Sequence, residues 1–342
     1  MVPSSTQLLG SAPLEIETAA QCLKAGGLVA FPTETVYGLG ADAENPQALA
    51  KLYAVKGRPT HHPVIVHLAS VAQLPQWAVD IPEAAWVLAK AFWPGPLTLI
   101  LKRSRRVPDA VTGGQDTVGI RVPDHPVALA LLSAFGGGVA APSANRFGRL
   151  SPTTAQHVLA DLGGDVEAIL DGGPCQVGVE STIVAFREGQ PIILRPGIIT
   201  ENQIQQALQG GAVASSAPLP SQASTVSRAP GTLASHYAPR TPLRLFSGQE
   251  LQQQFADVQA KPCGGGERIG VMALRKASAS PAFFCETWIE MPDTPEEYAR
   301  LLYATLRDLD ALGLSSIWVE RVPADTPWAA VADRLARAAF VG

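Results

Sequence analysis

From residue 15 to residue 208 the chain repeats one pattern: a helix-period segment, a stop signal, then an apolar run only long enough for a strand. Residues 15–25 read as a helix halted at Gly26 and Gly27, and Leu28 to Phe31 as the strand that follows. Asn45 and Pro46 supply a cap and a first-turn proline for a helix to about Val55, before a strand over Val64 to Leu68. A helix over Glu83 to Phe92 precedes strands at Leu97 to Lys102 and Val118 to Val122. Then come a helix over Val127 to Phe135, a strand at Val139 to Ala141 and a helix from Thr153 to Leu162. Strands at Ala168 to Leu170, Thr182 to Phe186 and Ile192 to Leu194 lead to a last helix from about Glu201 to Leu208. Short apolar strands alternating with amphipathic helices are buried by layering, which gives an α/β fold with a mixed, twisted sheet.

At 342 residues the chain exceeds the size of one hydrophobic core, so two domains are expected. From Gly210 to Pro242 the composition shifts to Gly, Ala, Ser and Pro without apolar periodicity, the mark of a linker. The expected division is therefore a domain over 1–210, a linker over 211–242 and a smaller α/β domain over 243–342. In the last part Leu243 to Phe246, Ile269 to Leu274, Trp288 to Met291 and Ile317 to Val319 read as strands. Pro295 to Leu312 reads as a helix with a capping box of Thr294 and Glu297 and a stop at Gly313.

Lys plus Arg number 26 against 30 Asp plus Glu, a net charge of -4, so the basic excess that drives binding along nucleic-acid backbones is missing. Cys22, Cys175, Cys263 and Cys285 lie far apart with no CxxC pair, which indicates neither zinc nor a disulfide framework and fits the cytoplasm. Met1 to Gly10 does not read as a signal peptide. The longest apolar stretch, Val127 to Ala141, is interrupted by Ser133 and by Gly136, Gly137 and Gly138, so no membrane span is expected.

Five segments carry candidate chemistry. Phe31-Pro32-Thr33-Glu34-Thr35-Val36-Tyr37-Gly38-Leu39-Gly40 is a polar, glycine-ended loop after a strand, with hydroxyls and one carboxylate suited to a small amphiphilic ligand; alone it also describes an ordinary capped loop. In Lys56-Gly57-Arg58-Pro59 a point charge and a guanidinium fork can grip a polyphosphate, or simply answer the dipole of the preceding helix. His61, His62 and His67 follow without a carboxylate or cysteine to complete a metal site, so polar or substrate contacts are the better reading. Arg121 interrupts an apolar strand and needs a partner, either a protein carboxylate or a ligand's. Ser143, Asn145 and Ser151 follow Ala141 at another strand end and can hydrogen-bond phosphate or ribose, although they are also turn formers. Glu180-Ser181-Thr182 and Leu194-Arg195-Pro196-Gly197 complete the set. No GxxxxGK[ST] loop, no GxGxxG opening a helix and no GxSxG elbow occurs, so a nucleotide here must be held by scattered cations.

In order and spacing these segments resemble the threonylcarbamoyl-adenylate synthase family in its two-domain form. The Pro-Thr-Glu-Thr-Val-Tyr-Gly-Leu loop, Lys-x-Arg-Pro, Gly-Ile-Arg-x-Pro, Ser-Ala-Asn, Glu-Ser-Thr-Ile-Val and Leu-Arg-Pro-Gly carry the match over residues 28–197. Pro230-Gly231 and His236-Tyr237-Ala238-Pro239 extend it into the linker. The resemblance implies a YrdC-like twisted mixed sheet followed by a smaller Rossmann-like α/β domain. It assigns Thr35, His67, Arg121 and Ser181 to threonine, with Ala141 contributing backbone. It assigns Lys56, Arg58, Thr117, Ser143, Ser151 and Arg195 to ATP, with Asn145 and His62 alongside. His62 stands where the family commonly has Asn. The linker is expected to act as a lid, His236 reaching a phosphate and Tyr237 covering a ring.

The implied reaction carboxylates threonine's amine with bicarbonate and adenylates the carbamate with ATP and magnesium, Lys56 and Arg58 supplying catalytic positive charge. The product would pass to a tRNA threonylcarbamoyl-transferase complex, without strong direct tRNA binding by this chain. A non-catalytic RNA-binding module conflicts with the charge balance. A hydrogenase-maturation carbamoyltransferase would need CxxC clusters that are missing.

Overall fold

A computed structural model describes residues 5–209, 214–215, 229–231, 236–260, 268–275 and 285–340. The chain separates into two compact units, one of residues 1–147 and 151–232, the other of 148–150 and 233–342. Most of the expected linker lies outside the described residues, while residues 233–242 of it fall in the second unit.

The first unit contains the strands β1 (Gln7–Leu9), β2 (Val29–Phe31), β3 (Gly38–Asp42), β4 (Ile65–His67), β5 (Leu97–Lys102), β6 (Thr117–Arg121), β7 (Val139–Ala140), β8 (Ala168–Leu170), β9 (Thr182–Arg187), β10 (Gln190–Arg195) and β11 (Ala214–Ser215). They form one sheet in the order β1-β8-β2-β3-β7-β4-β6-β5-β9-β10-β11. The sheet is mixed: β4 and β6 run parallel, as do β5 and β9, whereas β5 and β6 run antiparallel.

Strand alternation divides the core. Val29 and Phe31 of β2 pack with Ile16, Leu23, Leu131 and Leu132 from the helices Pro13–Lys24 and Pro126–Phe135. Leu28 and Ala30 face the other way, into the larger core with Leu49, Leu52, Leu88 and Val158 from the helices Pro46–Lys56, Glu83–Phe92 and Ala155–Leu162. Helices on both faces leave the loops at the strand ends as the open chemistry of this unit.

Three strands differ from the sequence expectation, one of them β11, which falls in the segment read as linker. β3 falls in the segment read as a loop, because Gly-Leu-Gly-Ala-Asp carries strand breakers. A Cβ at Gly40 would stand 2.9 Å from Val139 Cγ1 and 3.0 Å from Phe31, so the glycine permits a tightly packed central strand. β1 is a short, largely exposed edge strand paired to β8, too brief to show alternation.

The second unit has four strands, β12 (Leu243–Phe246), β13 (Ile269–Ala273), β14 (Cys285–Glu290) and β15 (Ser316–Glu320), in the order β12-β15-β13-β14 and all parallel. The helices Gly248–Ala260, Pro295–Ala311 and Ala329–Ala338 accompany them, and Leu251, Val271 and Trp318 form part of its core. Gly313 stops the long helix with φ +65°. Its start corrects the expected capping box: the Thr294 hydroxyl donates to Glu297 at 3.2 Å and caps no backbone N–H. No described helix is long and apolar enough to cross a membrane.

Candidate functional site

The loop between β2 and β3 is shaped by Thr33. Its hydroxyl donates to the Val36 carbonyl at 2.6 Å, accepts the Thr35 and Val36 N–H groups at 3.2 Å, and lies 2.8 Å from the Thr35 hydroxyl. Two other loops hold this one by the main chain. Tyr37 N–H donates to Pro152 O at 2.9 Å and Tyr37 O accepts Ala144 N–H at 2.8 Å. Glu34 O and Thr35 O accept the N–H groups of Val177 at 2.8 Å and Gly178 at 3.1 Å. The first, fourth and fifth sequence segments are therefore one neighbourhood.

At its centre lie His67 and Arg121, register partners at the C-terminal ends of the parallel strands β4 and β6. Arg121 Nη2 is 2.6 Å from Glu34 Oε1, and Arg121 Nε donates to Gly95 O at 3.2 Å. The sequence left Arg121 a choice of partners, and within the fold the partner is Glu34. The contact is close yet misaligned for hydrogen bonding. Both Glu34 oxygens, Arg121 Nη2 and His67 Nδ1 are buried without a hydrogen-bond partner, with Glu34, Arg121 and His67 only 5%, 4% and 3% exposed. Burial first, and the Arg121 charge second, push the His67 pKa down to about 3, so the ring is neutral at pH 7. Buried polar atoms left unsatisfied cost free energy and mark places where a ligand is completed by the protein.

Arg195 on β10 organises the next cluster. Its Nε donates to Ser181 O at 3.1 Å, Nη2 to Ser181 O at 2.9 Å and Oγ at 3.1 Å, and Nη1 to Pro230 O at 2.9 Å. Ser181 Oγ is also 2.8 Å from Thr98 Oγ1 of β5. The Ser151 hydroxyl donates to Glu180 Oε1 at 2.5 Å, both groups being buried. Sequence reasoning missed Thr98 and gave Glu180 no role; the available signal for Thr98 was a lone hydroxyl in the apolar run Leu97 to Lys102.

Gly197 controls the approach here, because a Cβ would stand 2.4 Å from Thr182 N and 2.8 Å from Ser181 C. Gly197→Ala is expected to lower stability by about 1–3 kcal/mol and to displace Ser181, which thermal unfolding and ligand titration of the variant will register.

Lys56 ends its helix ahead of Gly57, which takes the left-handed cap at φ +62°. Its ammonium donates to the carbonyls of Ser143 and Asn145, and its own carbonyl accepts Phe147 N–H at 2.8 Å. Burial and then Arg58 hold its pKa well below the ordinary lysine value, Asp161 opposing and Arg146 adding to the fall. Arg58 donates to Pro63 O at 2.7 Å and lies 5.5 Å over the Phe147 ring, with the His62 ring edge-on to Phe147 at 5.4 Å. Both cations thus engage loop carbonyls, and Lys56 fixes the conformation of the Ser143–Asn145 loop.

The remaining expected residues are more scattered. Ala141 N–H is occupied by Ile65 O at 2.9 Å, leaving only its carbonyl to offer. Thr117 shares a face of β6 with Arg121 but begins the strand that Arg121 ends, about 13 Å away at the usual rise per residue. His236 and Tyr237 belong to the second unit: the rings are 4.1 Å apart, Tyr237 meets Tyr303 at 5.9 Å, and the Arg334 guanidinium lies 5.3 Å over Tyr237. Among the described residues no group of three His, Cys, Asp or Glu could hold a metal.

The sequence matches the Sua5/YciO/YrdC family, described as telomere recombination, over residues 21–197, and the threonylcarbamoyl-AMP synthase C-terminal domain over residues 199–340. The threonylcarbamoyl-AMP synthase of Pyrococcus abyssi is 40% identical over 95% of this chain and 94% of its own. That of Bacillus subtilis is 42% identical over 95% and 93%. The crystal structure of Pyrococcus abyssi Sua5 complexed with L-threonine superposes with a TM-score of 0.86 at 37% identity, covering 98% of both chains.

Proposed function

The chain belongs to the threonylcarbamoyl-AMP synthase family, and on that premise we propose that it converts L-threonine, bicarbonate and ATP into threonylcarbamoyl-AMP and pyrophosphate. The observation that carries this reading is the buried Glu34, Arg121 and His67 group, whose unpaired polar atoms sit beside the hydroxyl-bearing loop of Thr33 and Thr35. Arg121 would take the threonine carboxylate, with Thr35, His67, Ser181 and the Ala141 carbonyl around the rest of the amino acid. Lys56, Arg58, His62, Ser143, Asn145, Ser151, Arg195 and Thr117 are proposed for ATP.

Bicarbonate, the amino-acid carboxylate and the triphosphate all carry negative charge, so the main task of the site is to hold anions together in a field of fixed cations and oriented donors. The donor set fits an anionic nucleotide. With no acidic cluster among the described residues, magnesium would arrive on the ATP phosphates, where it neutralises charge. We further propose that the product passes to a tRNA threonylcarbamoyl-transferase complex.

Calorimetric titration tests the amino-acid half of the site. L-threonine is expected to bind more tightly than serine by about 1–3 kcal/mol for the methyl group, and valine to bind weakest because the hydroxyl partners would be left unpaired. Equal affinity for all three would show that the side chain is not read.

A further inference from the structure

Glu34 is a buried acid for which anion binding has no obvious use. Its main-chain carbonyl is held by Val177, so the loop fixes where the side chain lies. Its carboxylate offers about four acceptor sites and uses none in a hydrogen bond, although Arg121 stands 2.6 Å away. A pair serving stability alone gains most when its donors and acceptors align, because misaligned charges repay little of their desolvation. Glu34 therefore lacks a donor, while Arg121 Nη2 lacks an acceptor.

One class of ligand answers both needs at once. An α-amino acid carries a carboxylate and an ammonium on a single carbon, matching a cation and an anion held side by side. We propose that Glu34 receives the amino group of the substrate and takes the proton released when that amine is carboxylated, which rests on the amino-acid reading above. The balance is simple. R–NH3+ gives one proton to the Glu34 carboxylate and becomes R–NH2. The nitrogen lone pair then attacks the bicarbonate carbon, the C–OH bond breaks, and R–NH–COO− and water result. Without an acceptor the amine stays protonated and has no lone pair to offer. His67 is a poorer acceptor, because burial and Arg121 both disfavour its charged form.

The test compares L-threonine with 3-hydroxybutanoate, which is threonine with hydrogen in place of the ammonium, by calorimetry on the full chain. Wild type should bind threonine at least about tenfold more tightly. In Glu34→Gln, threonine should weaken by about 10- to 100-fold, the usual range for a lost charge-assisted contact, and 3-hydroxybutanoate by less than about threefold. If Glu34 merely props Arg121, both ligands share the affected carboxylate and must weaken by the same factor, which would overturn the proposal. Should the variant not fold, the wild-type comparison decides alone, since equal affinity for the two ligands also overturns it. Failure of wild type to bind threonine would instead sink the functional reading itself.

Discussion

Arg121→Ala is expected to lower the stability of the first unit by about 3–5 kcal/mol, because it leaves the Glu34 carboxylate buried with its paired cation removed. The cost falls on Glu34 more than on the lost attraction. Accordingly Arg121→Met combined with Glu34→Gln should recover at least half of it, since exchanging both charges for neutral groups of similar size removes the desolvation penalty together with the pair. Native-state hydrogen exchange at the β4 and β6 amides reports this unit directly, without requiring both units to unfold together. A single variant within about 1 kcal/mol of wild type would mean that water or a relaxed loop already compensates Glu34.

The second large effect is in pH. His67 is held near pKa 3 when folded against about 6.5 when unfolded, so below pH 6.5 the unfolded chain binds a proton that the native site refuses. Stability from this group is thus intact above pH 6.5 and falls by about 1.4 kcal/mol per unit as pH drops toward 3. Between pH 7 and pH 4.5 the loss should reach about 2–3 kcal/mol. His67→Gln cannot take up that proton, and its stability curve over the same range should be flatter by that amount. Parallel curves for wild type and variant would show that His67 is protonated in the folded protein.

How much of this could be read from the sequence depended on whether information is local. The helices Pro46–Lys56 and Glu83–Phe92 and the strand Leu97–Lys102 were legible, the first from its Asn45 cap, the second from apolar residues at helical spacing and the third from a short, mostly apolar run. β3 was not, because Gly38 and Gly40 imitate a loop, although Gly40 is there for close contact with Phe31 and Val139. In the site, Lys56, Arg121 and Arg195 stand out as cations at the ends of apolar elements. Their partners do not stand out. The pairing of Glu34 with Arg121, the Thr98 and Ser181 hydroxyl contact and the bond from Ser151 to Glu180 all join distant segments, and no periodicity encodes them. Lys56 shows the consequence: by sequence either a phosphate grip or an answer to the dipole of its helix, in the fold it ties down the Ser143 and Asn145 carbonyls. The amino-acid and nucleotide assignments came from motif resemblance, not from pattern.

The most direct measurement of the central claim is incubation of the protein with ATP, L-threonine and 13C-labelled bicarbonate, followed by mass spectrometry and pyrophosphate determination. Threonylcarbamoyl-AMP one mass unit heavier than the unlabelled product, formed one-for-one with pyrophosphate and only when all three substrates are present, is the predicted result. Pyrophosphate release that does not depend on threonine, or a product without the label, would contradict the account.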